Sequence, residues 1–373
     1  MAITNIDTWM LRFPSNRAAR ERADEFFELI GVTVQDESSH TGTGWTFTSD
    51  YGGGEAVVAL LDTVLVKHVI GRDPMEVETL NDELWHLTHR LGHGITSMAI
   101  AAIDIALWDL RARRRGVSLA RELGQVRDTV PAYGSGKASP SLPLDELVEL
   151  SVGYVTAGFN AVKLRVGRQP ELDDLRVAAV RKAIGPEVRI MCDANERLDL
   201  PAALRLGRKL AEHDIYWLEE PLLTQDLESY RRLRAALPMA IAMGEHIFAA
   251  RDFLPYITSG AVDVVQPDMC LIGGVTQAMR AGRIADAHGL ALAPHFMTDL
   301  HVHIAAALPR ATYVEFYPFM DDLLAEGLAI KDGAVVVPSR PGHGVRFTKD
   351  SLQRYLVPAG GNPDEAMERL CSV

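Results

Sequence analysis

Three acidic residues end short apolar runs of the sequence at one fixed interval. Asp193 ends RIMCD, Glu219 ends YWLE and Glu245 ends IAMGE, and both intervals are 26 residues (219 − 193 and 245 − 219). This is about one strand–helix unit of a (β/α) barrel, so the carboxylates are predicted at the C-terminal ends of neighbouring parallel strands. Oxygen ligands without histidine or cysteine suit Mg²⁺ better than Zn²⁺. The spacing therefore predicts a Mg²⁺ site at the mouth of a barrel.

Two residues with acid–base chemistry end the next predicted strands. Asp268 ends VDVVQPD, and His295 follows LALAP. On adjacent strands Asp268 can accept a hydrogen bond from the imidazole, which fixes the tautomer of His295 and raises its basicity. We expect this pair to act as a catalytic base. Glu315, in TYVEFY, is expected to complete the ring, as a hydrogen-bond donor if protonated or as an orienting group if ionised.

The second strand of the predicted barrel contributes two cations. Lys163 and Arg165 alternate in AVKLRVG, so both side chains face into the barrel mouth. There they either neutralise the neighbouring acids or hold a substrate carboxylate or hydroxyl, and we expect the second role. A guanidinium stays protonated at any working pH, which makes Arg165 a poor general base. Asn195, two residues after Asp193, is a further candidate for substrate binding.

The overall composition argues against several classes of protein. The chain has 373 residues, of which 47% are hydrophobic and 24% are charged, as in ordinary globular proteins. A formal net charge of -12 disfavours sequence-independent binding to nucleic acid and binding to an anionic membrane surface. Widely spaced cysteines without a CxxC motif indicate reduced thiols, and no stretch is long and apolar enough to span a bilayer. We therefore expect a cytoplasmic protein.

The first part of the chain is predicted to be an α+β domain that positions none of these candidate residues. Its strands are predicted at residues 4–13 and 41–48, and its helices include 75–88 and 97–115. This pattern ends near residue 126, so the first domain is predicted to comprise residues 1–126.

The rest of the chain is predicted to be a TIM-like barrel, since short strands now alternate with amphipathic helices. The strands are predicted at residues 130–136, 161–166, 189–195, 216–221, 241–246, 262–268, 290–296 and 312–317. The barrel is assigned to residues 127–330. Residues 331–373, with a strand over 333–338, are expected to return to the first domain.

Together these features resemble the enolase superfamily and, within it, the mandelate racemase subgroup, in particular its acid sugar dehydratases. The segments SMAIAAIDIALWDLRARRRG and PDMCLIGGVTQAMRA are also similar to the family's. The resemblance covers nearly the whole chain and implies an α+β capping domain, a modified TIM barrel (β/α)7β and a homo-oligomer. It implies Mg²⁺ held by Asp193, Glu219 and Glu245, and abstraction of the proton α to a substrate carboxylate, with Mg²⁺ stabilising the enediolate. The implied catalytic residues are His295, Asp268 and Glu315.

One departure from the family pattern bears on the reaction. The racemases of this subgroup have a Lys-x-Lys on the second strand, and their second lysine is the base on the opposite face of the substrate. This chain has Lys163-Leu164-Arg165. A single base, His295, that removes the α-proton and then protonates a departing β-hydroxyl fits syn dehydration. We therefore expect an acid sugar, an aldonate or aldarate, to be dehydrated to its 2-keto-3-deoxy acid.

Other functions remain open on the sequence alone. One alternative is a racemase or epimerase in which Lys163 is the second base, and another is a cycloisomerase that acts on a lactone of a 2-hydroxy acid. The non-enzyme alternative is a metal-binding scaffold that has lost catalysis. A phosphate-binding barrel isomerase is disfavoured, because the loops after the last two strands lack a glycine-rich phosphate signature.

The first domain is expected to select the substrate through loops over residues 13–28 and 49–55. Their polar candidates for contact with substrate are Arg17, Arg20, Asp50 and Tyr51. Several histidines have no position at a strand end and are expected to be structural or solvent-facing; they are His40, His86, His89, His93, His301 and His303.

Overall fold

An antiparallel sheet forms the N-terminal part of the structure. The structure, a computed structural model, describes residues 2–14, 26–49, 52–136, 142–359 and 367–370. The sheet contains β1 (Ile3–Pro14), β2 (Phe26–Asp36) and β3 (Thr41–Ser49), with β2 in the middle. β2 is missing from the predicted elements, and the loop predicted over 13–28 is wrong where β2 begins. The run FFELIGVTVQD is buried on both faces, so it lacks the alternation that identifies a half-buried strand.

The helices of this domain pack on the sheet, and one of them approaches it very closely. They are α1 (Gly54–Leu60), α2 (Val66–Val69), α3 (Val77–Thr88), α4 (Ile95–Arg114) and α5 (Leu119–Glu122). Glycine is required where α4 crosses β3. A Cβ atom on Gly44 would lie 2.3 Å from the backbone nitrogen of Ala106 and 2.4 Å from the backbone oxygen of Ala102. The missing side chain lets the helix backbone lie directly on the strand.

Parallel strands then form a barrel. In the described residues they are β4 (Thr129–Gly134), β5 (Ala161–Arg165), β6 (Arg189–Asp193), β7 (Ile215–Glu219), β8 (Ala240–Met243), β9 (Val264–Val265), β10 (Ala291–Leu292) and β11 (Val314–Phe316). The ring closes because β11 pairs with β4, and a bridge joins Leu292 of β10 to Ala311, in the segment that leads into β11.

Helices follow the barrel strands up to β10. They are α6 (Leu144–Thr156), α7 (Pro170–Ile184), α8 (Leu200–Ala211), α9 (Leu227–Ala236), α10 (Leu254–Thr258), α11 (Val275–Ala287) and α12 (Thr298–Ala307). The predicted fold class, an α+β capping domain plus a modified TIM barrel (β/α)7β, is confirmed. Among the described helices, none combines the length and the hydrophobicity needed to cross a membrane.

Inward-facing side chains close the barrel below its mouth. This buried layer consists of Tyr133, Ala161, Met191, Trp217, Ala242, Val264, Ala293 and Tyr313. Residues i and i+2 of a strand face the same side. The next inward position after Met191 is therefore Asp193, and the next after Trp217 is Glu219. The alternation that packs the barrel interior also places the acidic side chains above it, at the mouth.

The C-terminal segment contacts both parts of the molecule. It contains β12 (Ile330–Lys331), β13 (Ala334–Val336), α13 (Lys349–Tyr355) and β14 (Leu356–Val357). β13 pairs with the first barrel strand, β4, and β14 pairs with β1 of the N-terminal sheet. The chain therefore returns to the sheet where it began.

Buried polar contacts join the α+β domain to the barrel. Asp104 on α4 accepts hydrogen bonds from Asn81 Nδ2 at 2.8 Å and from the backbone N–H of Thr276 at 3.0 Å. Thr46 Oγ1 on β3 donates to the carbonyl oxygen of Cys270 at 2.7 Å. Because an unsatisfied buried polar group costs about 1–3 kcal/mol, the contacts with Thr276 and Cys270 resist separation of the two parts. The Thr46 contact holds the loop that follows β9 and Asp268.

Candidate active site

The structure brings Asp193, Glu219 and Glu245 together at the barrel mouth. Asp193 and Glu219 end the paired strands β6 and β7, and Glu245 lies two residues beyond β8. One carboxylate oxygen of each residue lies within 4.8 Å of the others; the side chains of Asp193 and Glu219 are buried, and that of Glu245 is 11% exposed. Buried anions at this distance repel one another unless cations lie between them. This oxygen-only donor set fits a hard divalent cation such as Mg²⁺.

Each of these carboxylates already contacts a basic side chain. Arg165 Nη1 contacts Asp193 Oδ2, Lys163 Nζ lies 2.7 Å from Glu219 Oε1, and His295 Nε2 lies 2.8 Å from Glu245 Oε2. Burial raises the pKa of Glu219 to about 8, although Lys163 opposes that shift. The cluster therefore needs positive charge in order to hold all of its carboxylates ionised.

Lys163 is enclosed by acids. Its side chain is fully buried, and its Nζ lies 2.7 Å from Glu219, 3.0 Å from Glu315 and 3.5 Å from Asp193. Burial lowers the pKa of Lys163, but the contacts with Glu219 and Glu315 outweigh burial and hold it well above its usual value. Of the two roles weighed for Lys163, the contacts in this structure are those of a neutralising cation.

Arg165 lies nearer to solvent, with 21% of its side chain exposed. Besides Asp193, its Nη1 donates to Asn195 Oδ1 at 2.8 Å. Asn195 in turn donates from its backbone N–H to Asp193 Oδ1 at 2.8 Å. Asn195 is therefore part of the shell around Asp193 as well as a candidate for substrate binding.

His295 and Asp268 form the predicted pair. His295 Nδ1 lies 3.0 Å from Asp268 Oδ2, and Asp268 Oδ1 accepts the backbone N–H of Cys270 at 2.8 Å. The Asp268 contact places a proton on Nδ1 and directs Nε2 towards Glu245. Burial lowers the pKa of His295, but Glu245 and Asp268 outweigh it and raise the pKa well above its ordinary value.

Glu315 is held by three donors. Its Oε1 accepts from Ser135 Oγ at 2.5 Å and lies 3.0 Å from Lys163 Nζ, and its Oε2 accepts the backbone N–H of Phe296 at 2.8 Å. Burial raises the pKa of Glu315, but Lys163 and His295 outweigh it and lower the pKa to about 2. These contacts favour the ionised, orienting form of the two considered for Glu315.

Some residues around the site are missing from the predicted set. Ser135, just after β4, is the next inward position after Tyr133, so the alternation along that strand would have found it. A second group of three possible metal donors, Glu196, Glu220 and His246, lies beside the first. In this group His246 Nδ1 lies 2.6 Å from Glu220 Oε2, so the contact already pairs its imidazole with a carboxylate.

Aromatic side chains line the junction between the α+β domain and the barrel. Phe47 on β3 lies 5.0 Å from Phe296, the neighbour of His295, and Phe27 on β2 lies 4.9 Å from Phe319, between ring centroids. The N-terminal sheet therefore meets the barrel beside the His295 side of the mouth. The predicted specificity residues Arg17, Arg20, Asp50 and Tyr51 lie outside the described residues.

Two family models match the chain in consecutive segments. Residues 2–124 match the model for the mandelate racemase / muconate lactonizing enzyme N-terminal domain. Residues 146–351 match the model for the enolase C-terminal domain-like fold. The second segment spans more than half of the chain and contains the clustered site residues from Lys163 to Glu315.

Similar proteins include both cycloisomerases and dehydratases. The 3,6-anhydro-alpha-L-galactonate cycloisomerase of Streptomyces coelicolor is 35% identical over 334 residues, which cover 89% of this chain and 92% of that protein. The L-talarate/galactarate dehydratase of Salmonella typhimurium is 34% identical, covering 87% of this chain and 81% of that protein. The crystal structure of L-talarate dehydratase from Polaromonas sp. JS666, complexed with Mg and L-glucarate, superposes with a TM-score of 0.88 at 33% identity and covers 95% of this chain and 97% of that one.

Proposed function

This chain belongs to the mandelate racemase / muconate lactonizing enzyme family of the enolase superfamily, and we propose that it dehydrates an acid sugar to a 2-keto-3-deoxy acid. The first step is removal of the proton α to the substrate carboxylate. One observation carries this proposal: Asp268 holds His295 Nδ1, while Nε2 lies 2.8 Å from Glu245 in the carboxylate cluster. A base in this position is within reach of a substrate held at the cluster.

The proposed cofactor is Mg²⁺, which Asp193, Glu219 and Glu245 would hold. Their clustered oxygen atoms have the donor chemistry that this ion prefers, and the Polaromonas relative was crystallised with Mg and an acid sugar. When bound, Mg²⁺ stabilises the negative charge that develops on the substrate carboxylate.

The proton transfers are assigned to His295. Its Nε2 must first leave Glu245 and give up the proton of that contact to solvent. The neutral ring then accepts the α-proton, and the electron pair of the broken C–H bond delocalises into the carboxylate as an enediolate. The enediolate expels the β-hydroxyl, to which His295 returns the proton, so that one water molecule leaves and the resulting enol becomes the 2-keto acid. Asp268 accepts the Nδ1–H throughout and stabilises the charged ring.

The two cations of β5, Lys163 and Arg165, support proton transfer on one face of the substrate only. Arg165 cannot release a proton at working pH, and Lys163 is surrounded by carboxylates that keep it charged. Neither is suited to be the second base that a racemase or epimerase needs. This arrangement favours elimination over inversion at the α-carbon.

Cycloisomerisation is a second candidate, because one of the most similar relatives is named as a cycloisomerase. The first step, removal of the α-proton by His295, would be the same as in dehydration. If the β-oxygen belongs to a ring, the enediolate expels a tethered oxygen, and the product has the same mass as the substrate. The two reactions therefore differ in the substrate and not in the residues that remove the α-proton.

A screen of acid sugars with the purified protein and Mg²⁺ tests the proposal. We expect at least one aldonate or aldarate to give a 2-keto acid that is lighter than its substrate by one water. A product of unchanged mass, formed only from anhydro sugar acids or lactones, would favour cycloisomerisation. Binding of acid sugars without any turnover would contradict both dehydration and cycloisomerisation and would support the inactive metal-binding scaffold. The homo-oligomer and the cytoplasmic location remain predictions.

A further inference from the structure

His301 connects the two loops that carry the catalytic pair. It lies on α12 and is fully buried. Its Nε2 accepts the backbone N–H of Met269, the residue after Asp268, at 2.8 Å. Its Nδ1 lies 2.8 Å from the carbonyl oxygen of Phe296, the residue after His295. One imidazole therefore spans the residues that immediately follow both members of the pair.

These contacts define the state of the His301 ring. A backbone N–H can only donate, so Nε2 must present its lone pair to Met269. The carbonyl oxygen of Phe296 can only accept, so Nδ1 must carry the proton. Burial lowers the pKa of His301, which agrees with a neutral ring. The ring thus supplies one donor and one acceptor in a fixed relation, and it does not add charge beside Asp268.

The backbone that His301 holds has a conformation that needs support. Phe296 has φ 56 and Met297 has φ 31, in the left-handed region that non-glycine residues seldom occupy. Phe296 is fixed on both sides, because its N–H donates to Glu315 Oε2 at 2.8 Å and its carbonyl oxygen accepts from His301. Loss of the second contact would remove the His301 donor from that carbonyl and allow the loop that begins at His295 to relax.

We propose that His301 is a positioning residue for the His295–Asp268 pair, holding the two loops so that the imidazole and the carboxylate keep their 3.0 Å contact. Its effect on turnover rests on the function proposed above, whereas its effect on the geometry of the pair does not. His301 Nε2 lies 3.6 Å from Asp268 Oδ1, but both ring nitrogens bond backbone groups, so His301 is assigned no proton transfer of its own.

His303 provides a matched control on the same helix. It is equally buried, and it also joins two backbone segments: its Nδ1 accepts the N–H of Ala120 at 3.2 Å, and its Nε2 donates to the carbonyl oxygen of His343 at 3.0 Å. Those segments lie outside the catalytic pair. A purely structural role for His301 predicts that the two histidines behave alike when they are replaced.

The test compares His301→Leu with His303→Leu. Both should lower the melting temperature, because each leaves two buried backbone groups without partners. Only His301→Leu should lower kcat, by about 10- to 100-fold with KM nearly unchanged, since a small misplacement of a catalytic group has effects of this size. His301→Gln keeps one donor and one acceptor and should recover part of kcat; it also serves if the leucine variant does not fold.

A measurement without substrate separates this inference from the proposed function. The ¹⁵N resonances of the His295 ring in the wild type should show Nδ1 protonated and hydrogen-bonded, and in His301→Leu they should shift or broaden. Unchanged His295 resonances in both His301 variants would overturn the inference, and so would an equal loss of kcat in His303→Leu. A wild-type protein inactive on every acid sugar would overturn only the proposed function.

Discussion

His295→Asn is expected to lower kcat by roughly 10²- to 10⁴-fold, the range typical for loss of a general acid–base group. The fold should be retained, because the side chain lies at the barrel mouth and not in the packed layer below it. Asparagine can still contact Asp268 but cannot accept the α-proton at the position of Nε2. The measurement is kcat on the acid sugar found by screening, with circular dichroism to check the fold.

His213→Asn is the matched control. His213 Nε2 lies 2.7 Å from Asp174, so the chain contains a second histidine–aspartate contact, formed outside the barrel mouth. This variant should keep wild-type kcat. The kcat of Asp268→Asn should lie between those of His295→Asn and His213→Asn, because this variant lacks the group that orients His295 but keeps the base itself. Near-normal turnover by His295→Asn would contradict the assigned base.

Removal of a metal ligand is expected to have the second large effect. Glu219→Gln and Glu245→Gln should each weaken Mg²⁺ binding by at least about 100-fold, since loss of groups that merely support metal ligands already costs 10- to 100-fold. Calorimetry on the wild type should show one divalent ion per chain. EDTA should abolish activity, and Mg²⁺ or Mn²⁺ should restore it in the wild type only.

Glu220→Gln tells the two donor groups apart. Glu220 is the sequence neighbour of Glu219, but it pairs with His246 in the second group. If the ion binds to Asp193, Glu219 and Glu245, this variant should keep its Mg²⁺ affinity. Undiminished binding in Glu219→Gln and Glu245→Gln, together with loss of binding in Glu220→Gln, would move the site to the second group.

The parts of this site that were predictable follow the repeat of the barrel. A parallel strand ends at the same edge in every strand–helix unit, so regular spacing was enough to bring Asp193 and Glu219 together. The same logic placed His295 beside Asp268, with the 3.0 Å contact between them. Strand alternation placed Lys163 in the barrel mouth, but only the structure shows that its ammonium group forms ion pairs with Glu219 and Glu315.

The rest depends on contacts that local sequence does not encode. The function of His301 arises from two loops that its helix packs against, and a histidine in HVHIAAA gives no sign of them. Alternation along β4 predicts that Ser135, just after that strand, faces the mouth, but its contact with Glu315 arises because β4 pairs with β11. β2 was missed because a strand buried on both faces has no alternation. Each of these features is set by long-range packing.

The most direct test of the central claim is the reaction of the wild-type enzyme in D₂O, followed by NMR, on its acid sugar and on an analogue without the β-hydroxyl. One base acting on one face should give a 2-keto-3-deoxy acid with solvent deuterium at C3 and no C2 epimer of the substrate. The analogue should at most exchange its α-proton with retention of configuration. Interconversion of the C2 epimers of the analogue, at a rate comparable with dehydration, would contradict the account and make Lys163 the second base of a racemase or epimerase.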